Sequence, residues 1–183
     1  MIFQLPHLRY RQLLIILITA AVLALGAIAC GGDNNASEQP LDPAFSALGQ
    51  IDFSSPAFDS GEAIPIEFTC DGEDKSPPLR WSEVPDGTRS LAIILDDPDA
   101  PGRIFRHWSV YNIPSGTRSL SAGQQNTQKL KDSTRQGQNE FGRIGYGGPC
   151  PPQGQEHEYV FFIYALSEPF EIEDGATPQQ VSE

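Results

Sequence analysis

Three short stretches of the chain concentrate groups that could hold a ligand or move a proton. Asp96-Asp97-Pro98-Asp99-Ala100-Pro101 sets three carboxylates beside two prolines, whose fixed φ directs the acids away from the backbone in a set direction. His107-Trp108 follows. Tyr146-Gly147-Gly148-Pro149-Cys150-Pro151-Pro152 then leads into His157-Glu158-Tyr159. Glycines leave backbone N–H groups uncovered, and consecutive free N–H groups form an anion-binding nest. Residues two apart on a strand share a face. His157 and Tyr159 therefore join the glycines in one donor-rich patch, while His107, Ser109 and Tyr111 share a face of their own strand. Each stretch also has a plainer reading: a rigid acidic turn, an edge histidine, a chain reversal at Gly-Pro.

Some chemistries find no support. No G-x-S-x-G motif is present, so nothing points to an acyl-enzyme. Asp97, His107 and His157 are of types that ligate metals, but they lack H-x-H or H-E-x-x-H spacing. Neither Cys70 nor Cys150 belongs to a C-x-x-C pair. The net charge of −12 argues against nucleic acid, whose phosphates require clustered Lys and Arg.

The elements that must position these groups are short. Seventeen glycines and sixteen prolines in 183 residues favour strands and loops over long helices. Ile64–Phe68 alternates and reads as a strand, with Pro65 marking an edge. Leu91–Leu95 is an unbroken apolar run, as in a strand buried on both faces. Trp108–Ile113 reads as a strand that begins just after His107 and is stopped by Pro114. Ser121–Gln138 is polar and aperiodic, a solvated loop with room for a helical turn. Tyr159–Leu166 reads as the most apolar strand. Near the end, Thr177 is a candidate N-cap with Pro178 in the first turn. The fold class is mainly β, an antiparallel β-sandwich with minor short helices.

The N-terminus reads as an export segment. Arg9 and Arg11 precede an apolar run, Leu13–Ala29, that ends in Ala27-Ile28-Ala29 before Cys30. That is the pattern of a signal peptide over residues 1–29; an uncleaved anchor is the alternative. Cys30 with the small, polar residues after it resembles a lipoprotein lipobox with its tether. Ala27 stands where Leu is preferred, and Ala-x-Ala also suits ordinary signal peptidase. Residues 30–50 then form a lipidated Cys and flexible tether, and residues 51–183 the folded domain. Cleavage removes Arg9 and Arg11 and no acid, taking the net charge from −12 to −14. In an exported protein, Cys70 and Cys150 could form a disulfide or remain two buried thiols.

The order and spacing of the motifs carry a more specific reading. Asp-Pro-Asp-Ala-Pro, His-Trp, Gly-Pro-Cys-Pro-Pro and His-x-Tyr before an apolar strand resemble the phosphatidylethanolamine-binding protein family. Phe68-Thr69-Cys70-Asp71-Gly72, Ser76-Pro77-Pro78-Leu79-x-Trp81 and Phe141-Gly142-x-x-Gly145-Tyr146-Gly147-Gly148-Pro149-Cys150 are similar to its bacterial, Raf-kinase-inhibitor-like branch. The resemblance spans about Phe53 to Pro178. It implies a sandwich with a small cavity for phosphate, acetate or a phosphoethanolamine head group. Asp97 and His107 would line one wall, Gly148 would supply loop backbone, and His157 and Tyr159 would line the other. Asp99 would brace the turn. Asp97 would orient a histidine proton or meet the head-group ammonium. Two departures stand out: Glu158 occupies a place where the family often has a basic residue, and the family's C-terminal helical sequence is expected to be truncated at Glu183.

The leading functional expectation is thus a lipid-anchored exported protein that binds small anions or head groups, with no catalytic residue and no cofactor, and that modulates a protein the sequence does not name. The alternatives are a metal-dependent hydrolase using Asp97, His107 and His157, and a structural surface lipoprotein with a vestigial pocket. Anchoring is testable on its own. Cys30→Ser should move the protein from the membrane fraction to the soluble fraction; a processed variant that still sediments with membranes contradicts a lipid anchor.

Overall fold

The computed structural model describes residues 2–3, 51–172 and 174–181. The apolar segment Leu13–Ala29, Cys30 and the tether lie outside the described residues. Among the described residues no helix is long and apolar enough to cross a membrane. Eight strands occur among the described residues: β1 (Ile2–Phe3), β2 (Phe53–Ser54), β3 (Leu79–Trp81), β4 (Ser90–Asp97), β5 (Phe105–Pro114), β6 (Ser119–Leu120), β7 (Arg135–Gln136) and β8 (Glu158–Leu166). They form a five-stranded sheet ordered β1-β8-β4-β5-β7 and a three-stranded sheet ordered β2-β3-β6. All pairings are antiparallel except that of β1 with Glu158–Tyr159 of β8.

The unbroken apolar run is β4, the centre of the larger sheet, and all eight of its residues are buried. Leu91, Ile93 and Leu95 face the main core, with Leu79 and Trp81 of the smaller sheet, Trp108 and Val110 of β5, and Tyr159, Phe161 and Ile163 of β8. Ala92 and Ile94 face a second cluster with Tyr111, Ala176 and Val181. Apolar cover on both faces explains why β4 does not alternate, and each such Leu or Ile contributes about 1.5–3 kcal/mol by burial. In β8, Tyr159, Phe161 and Ile163 point into the main core, while Phe162, Tyr164 and Leu166 pack against the second cluster.

Two expectations about strands need correction. Ile64–Phe68 is not a strand: Ile66–Phe68 forms a single 3-10 turn behind Pro65. Ile64 and Phe68 are buried and Ile66 is 65% exposed. The inward positions are therefore four apart, and a period of two does not apply. The loop expected over Ser121–Gln138 contains β7, and Gln136 within it is completely buried. Its side-chain oxygen accepts the Trp108 Nε1–H at 2.7 Å, and its amide donates to Gln125 O and Thr127 O at 2.6 and 2.9 Å. A buried amide with all its groups bonded holds the loop against β5.

The register of β5 matters most for the site. β5 starts at Phe105, so His107 lies inside the strand. Leu95 pairs with Trp108, but Asp96 pairs with Arg106, leaving His107 as an extra residue at a β-bulge. A bulge turns one side chain away from strict alternation. The expectation that His107, Ser109 and Tyr111 share a face is thereby overturned. Tyr111 packs in the outer cluster, and Ser109 lies against Gly137 on that side. The His107 ring instead meets Tyr159 of the main core at 5.2 Å.

On the outer face, Arg106 forms a two-pronged ion pair with Asp96, at 2.8 and 2.9 Å, and donates to Pro178 O at 2.8 Å. That contact ties down the C-terminal segment. Thr177 and Gln180 form a reciprocal cap: Gln180 Oε1 accepts the Thr177 N–H at 2.9 Å, and Thr177 Oγ1 accepts the Gln180 N–H at 3.4 Å. It is a capping box closing one turn, with Val181 buried at its end.

Candidate functional site

β4 and β8 run in continuous register from Ser90↔Leu166 to Asp96↔Val160. Asp97 and Tyr159 follow that last pair on the inner face, and the bulge delivers His107 to the same place. His157, just before β8, is two residues from Tyr159, so its ring falls on the same side, 6.5 Å away and stacked at 27°. Asp97, His107, His157 and Tyr159 are all buried, none more than 6% exposed. Glu158 lies between two inward residues, so its side chain leaves the strand on the other side.

The acidic turn is closed by its own side chains. Asp97 Oδ1 accepts the Asp99 N–H at 2.9 Å, and Asp99 Oδ2 accepts the Glu158 N–H at 2.7 Å. Asp99 thus latches the turn onto β8. Asp97 Oδ2 is left facing inward. It accepts the His157 Nδ1–H at 2.8 Å and lies 4.0 Å from His107 Nε2.

His107 points its other nitrogen at two carbonyls, Gly147 O at 2.8 Å and Gly148 O at 3.1 Å. A carbonyl only accepts, so Nδ1 carries the proton. The neutral ring then offers a lone pair at Nε2. Phe105 and Phe141 pack against the ring at 5.0 and 5.3 Å. Burial lowers the His107 pKa, opposed by the Gly147 carbonyl and the Asp97 charge.

The glycine loop does not act as the expected nest. The Gly147 N–H donates to His107 O at 3.0 Å, and the Gly148 N–H donates to Asp74 Oδ1 at 2.6 Å. Both are spent inside the protein, and the loop serves the site through its carbonyls. A Cβ on Gly148 would come within 2.5 Å of Phe68 O, and one on Gly147 within 2.6 Å of Phe141 Cδ2. These glycines are required for close packing. A disulfide joins Cys70 to Cys150 across 80 residues of sequence, with Cα atoms 5.4 Å apart. It clamps the loop to the segment after the 3-10 turn, a crosslink of the class that contributes on the order of 2–4 kcal/mol.

Three buried side-chain atoms are unbonded among the described residues, Ser109 Oγ, Arg118 Nε and the Tyr159 hydroxyl, and the last lies in this cluster. The Tyr159 hydroxyl has no hydrogen-bond partner among the described residues. The Asp97 carboxylate and the Cys150 N–H are both near enough to perturb the phenol. Burial first, then the Asp97 charge, raise its pKa well above the ordinary phenol value. An unbonded buried hydroxyl costs about 1–3 kcal/mol. Among the described residues no group of three or more His, Cys, Asp and Glu is arranged to hold a metal ion. Asp97, His107 and His157 meet instead around one carboxylate oxygen.

Several contributors were not legible as site residues: Asp74, Phe105, Phe141 and Gln155, whose Oε1 lies 3.4 Å from His157 Nε2. Asp74 lies between the Cys-Asp-Gly and Ser-Pro-Pro motifs, which is the one signal that could have marked it.

Residues 54–183 match the sequence profile described as phosphatidylethanolamine-binding protein. A UPF0098 protein of Aquifex aeolicus is 48% identical over 140 residues, covering 75% of this chain and 81% of its own. A Mycobacterium tuberculosis protein named "Putative lipoprotein LppC" is 37% identical over 174 residues, covering 90% and 84%. The crystal structure of Escherichia coli YbcL, titled a new member of the mammalian PEBP family, superimposes with a TM-score of 0.68 at 34% identity, covering 72% of this chain and 87% of that one.

The depressed His107 pKa sets a pH dependence of stability. As pH falls below about 6.5, the unfolded-state histidine value, the unfolded chain takes up the proton first. The contribution is therefore full above that pH and is lost as pH falls toward the folded-state value. The urea midpoint of wild type should drop more steeply between about pH 7 and about pH 5.5 than that of His107→Gln. Parallel slopes would contradict a buried, neutral His107.

Proposed function

Because this chain belongs to the phosphatidylethanolamine-binding protein family, we propose that it binds a small phosphate or phosphoester anion at Asp97, His107, His157 and Tyr159, beside the Gly148 loop. We further propose that it does so as an exported protein, held at the membrane by a lipid on Cys30. A relative named as a lipoprotein supports the second part. The unbonded, buried Tyr159 hydroxyl carries the first.

The hydrogen-bond geometry decides how an anion would be held. In its neutral form each histidine has its one N–H committed: His107 Nδ1–H to the Gly147 and Gly148 carbonyls, and His157 Nδ1–H to Asp97. Both Nε2 atoms then carry lone pairs, which repel an anion. Tyr159 is the one side chain of the four that donates without a further proton. The Asp97 carboxylate adds negative charge at the centre, and the whole chain repels anions at long range. An anion can enter this cluster only with protons, taken up on Nε2 of a histidine or carried on the ligand itself. A proton on His107 Nε2 lies between Asp97 and the ligand and offsets both repulsions. In a zwitterionic head group, the ammonium meets Asp97 while the phosphate takes the donors. While His157 is neutral, Nε2 and Gln155 Oε1 face each other at 3.4 Å as two acceptors, so that approach is the one a ligand bringing a proton most easily replaces.

Calorimetric titration with inorganic phosphate tests this. Affinity should rise as pH falls from about 8 to about 6, spanning the histidine range, with net proton uptake seen as heats that change with buffer ionisation enthalpy. The rise should occur although phosphate itself loses charge. Tyr159→Phe should weaken binding by roughly 1.5–3 kcal/mol, the range for hydrogen bonds to charged groups. Ser109→Ala, on the opposite face, should leave binding unchanged, as should a chelator. Binding that is independent of pH and of Tyr159 would place the anion elsewhere; loss of binding with the chelator would favour a metal site.

A further inference from the structure

We infer that Asp74 is a positioning residue for His107, acting through a single peptide unit to set which imidazole nitrogen carries the proton. The inference deepens the anion-site reading and rests on it for its meaning, but its primary readout needs no ligand.

The Gly147 carbonyl and the Gly148 N–H belong to the same peptide group. A trans peptide is planar, with its C=O and N–H pointing in opposite directions, and among the described residues no peptide is cis. Asp74 Oδ1 accepts the N–H at 2.6 Å on one edge. The carbonyl on the other edge must then aim at His107 Nδ1, which it meets at 2.8 Å. Asp74 is held for this task. Its second oxygen takes the Arg143 guanidinium at 3.2 Å, its own N–H donates to Thr69 O at 3.2 Å, and its φ of 53° is left-handed. That conformation costs a non-glycine residue free energy, which Asp and Asn tolerate best. Arg143 also sits over the Phe141 ring at 5.3 Å, and Phe141 packs edge-on against His107.

Two adjacent glycines give the peptide unit freedom to turn over. The disulfide and the Cys70 N–H to Pro149 O bond at 3.1 Å hold the loop's position, but neither acts on the Gly147–Gly148 unit. Without the Asp74 carboxylate, the unit can flip and present its N–H to Nδ1. The Nδ1 proton then keeps only the Gly148 carbonyl at 3.1 Å and faces the turned N–H, which shifts population toward the Nε2 tautomer, a neutral donor facing Asp97 and any ligand. Asp74 thereby keeps His107 a poor anion donor until it is protonated, and makes binding sensitive to pH.

The test uses Asp74→Gly, which removes the carboxylate and suits a left-handed φ, and Asp74→Asn, which keeps an acceptor oxygen and tolerates that φ. Nitrogen NMR of the ligand-free protein reports which His107 nitrogen is protonated at pH 8. Wild type and Asp74→Asn should hold the proton on Nδ1, while Asp74→Gly should shift population to Nε2. In phosphate titrations, Asp74→Gly should lose most of the proton uptake and of the affinity gain between about pH 8 and about pH 6, and Asp74→Asn should retain both. Asp74→Ser, whose shorter side chain does not span to the Gly148 N–H, serves as the shortening variant if Asp74→Gly fails to fold. A folded shortening variant with the proton still on Nδ1 overturns the inference. Wild type that binds no phosphate overturns the anion site while the tautomer measurement still decides the role of Asp74.

Discussion

One extra residue in β5, opposite the Leu95–Asp96 step of β4, moves an imidazole from one face of a sheet to the other. Without that bulge His107 would lie with Ser109 and Tyr111 toward the C-terminal segment, and Asp97 would face only His157 and Tyr159. With it, Trp108 keeps its place in the main core and His107 still reaches the inner face. The adjacent Arg106 is freed to pair with Asp96 on the outside. A carboxylate pair thus straddles the sheet at the end of its central strand: Asp96 is neutralised outward by arginine, and Asp97 is held inward by histidine. The glycine loop can close over His107 only because neither Gly147 nor Gly148 carries a side chain, and the disulfide and Asp74 then fix that loop from behind.

This arrangement works against simple stability. A buried acid, two buried imidazoles and an unbonded phenol each cost free energy unless paired. Most of the cost is offset inside the cluster, since Asp97 accepts from Asp99 and His157 and His107 donates to the loop. The remainder falls on Tyr159 and on the two lone pairs at Nε2. Among the described residues Ser109 Oγ on the outer face and Arg118 Nε beside Glu83 are also unbonded, but an unbonded hydroxyl set among a buried carboxylate and two buried imidazoles is the pattern expected of a site shaped for a ligand.

Much of this was legible in the sequence. The run Leu91–Leu95 announced a strand buried on both faces because composition alone reports burial there. The order of the motifs announced the family, and Thr177 announced a cap. The bulge was not legible: the period of two assumes unbroken pairing, and nothing in Arg106-His107-Trp108 marks an extra residue. The anion nest was misread because sequence shows which N–H groups could be free and never where their partners lie. Those partners, Asp74 and the His107 carbonyl, are 74 and 40 residues away in the chain. Ile64–Phe68 misled because three alternating apolar residues describe a strand and a 3-10 turn equally well until the core claims two of them.

The account stands on the Tyr159 hydroxyl being the donor for which a ligand completes the cluster. A high-resolution crystal structure of the protein soaked with phosphate near pH 6 tests it most directly. The account predicts a phosphate oxygen within about 2.5–3.0 Å of Tyr159 Oη, the range for O–H···O bonds, with Gln155 displaced from His157 Nε2. Phosphate bound away from an unchanged, still unbonded Tyr159 would contradict it.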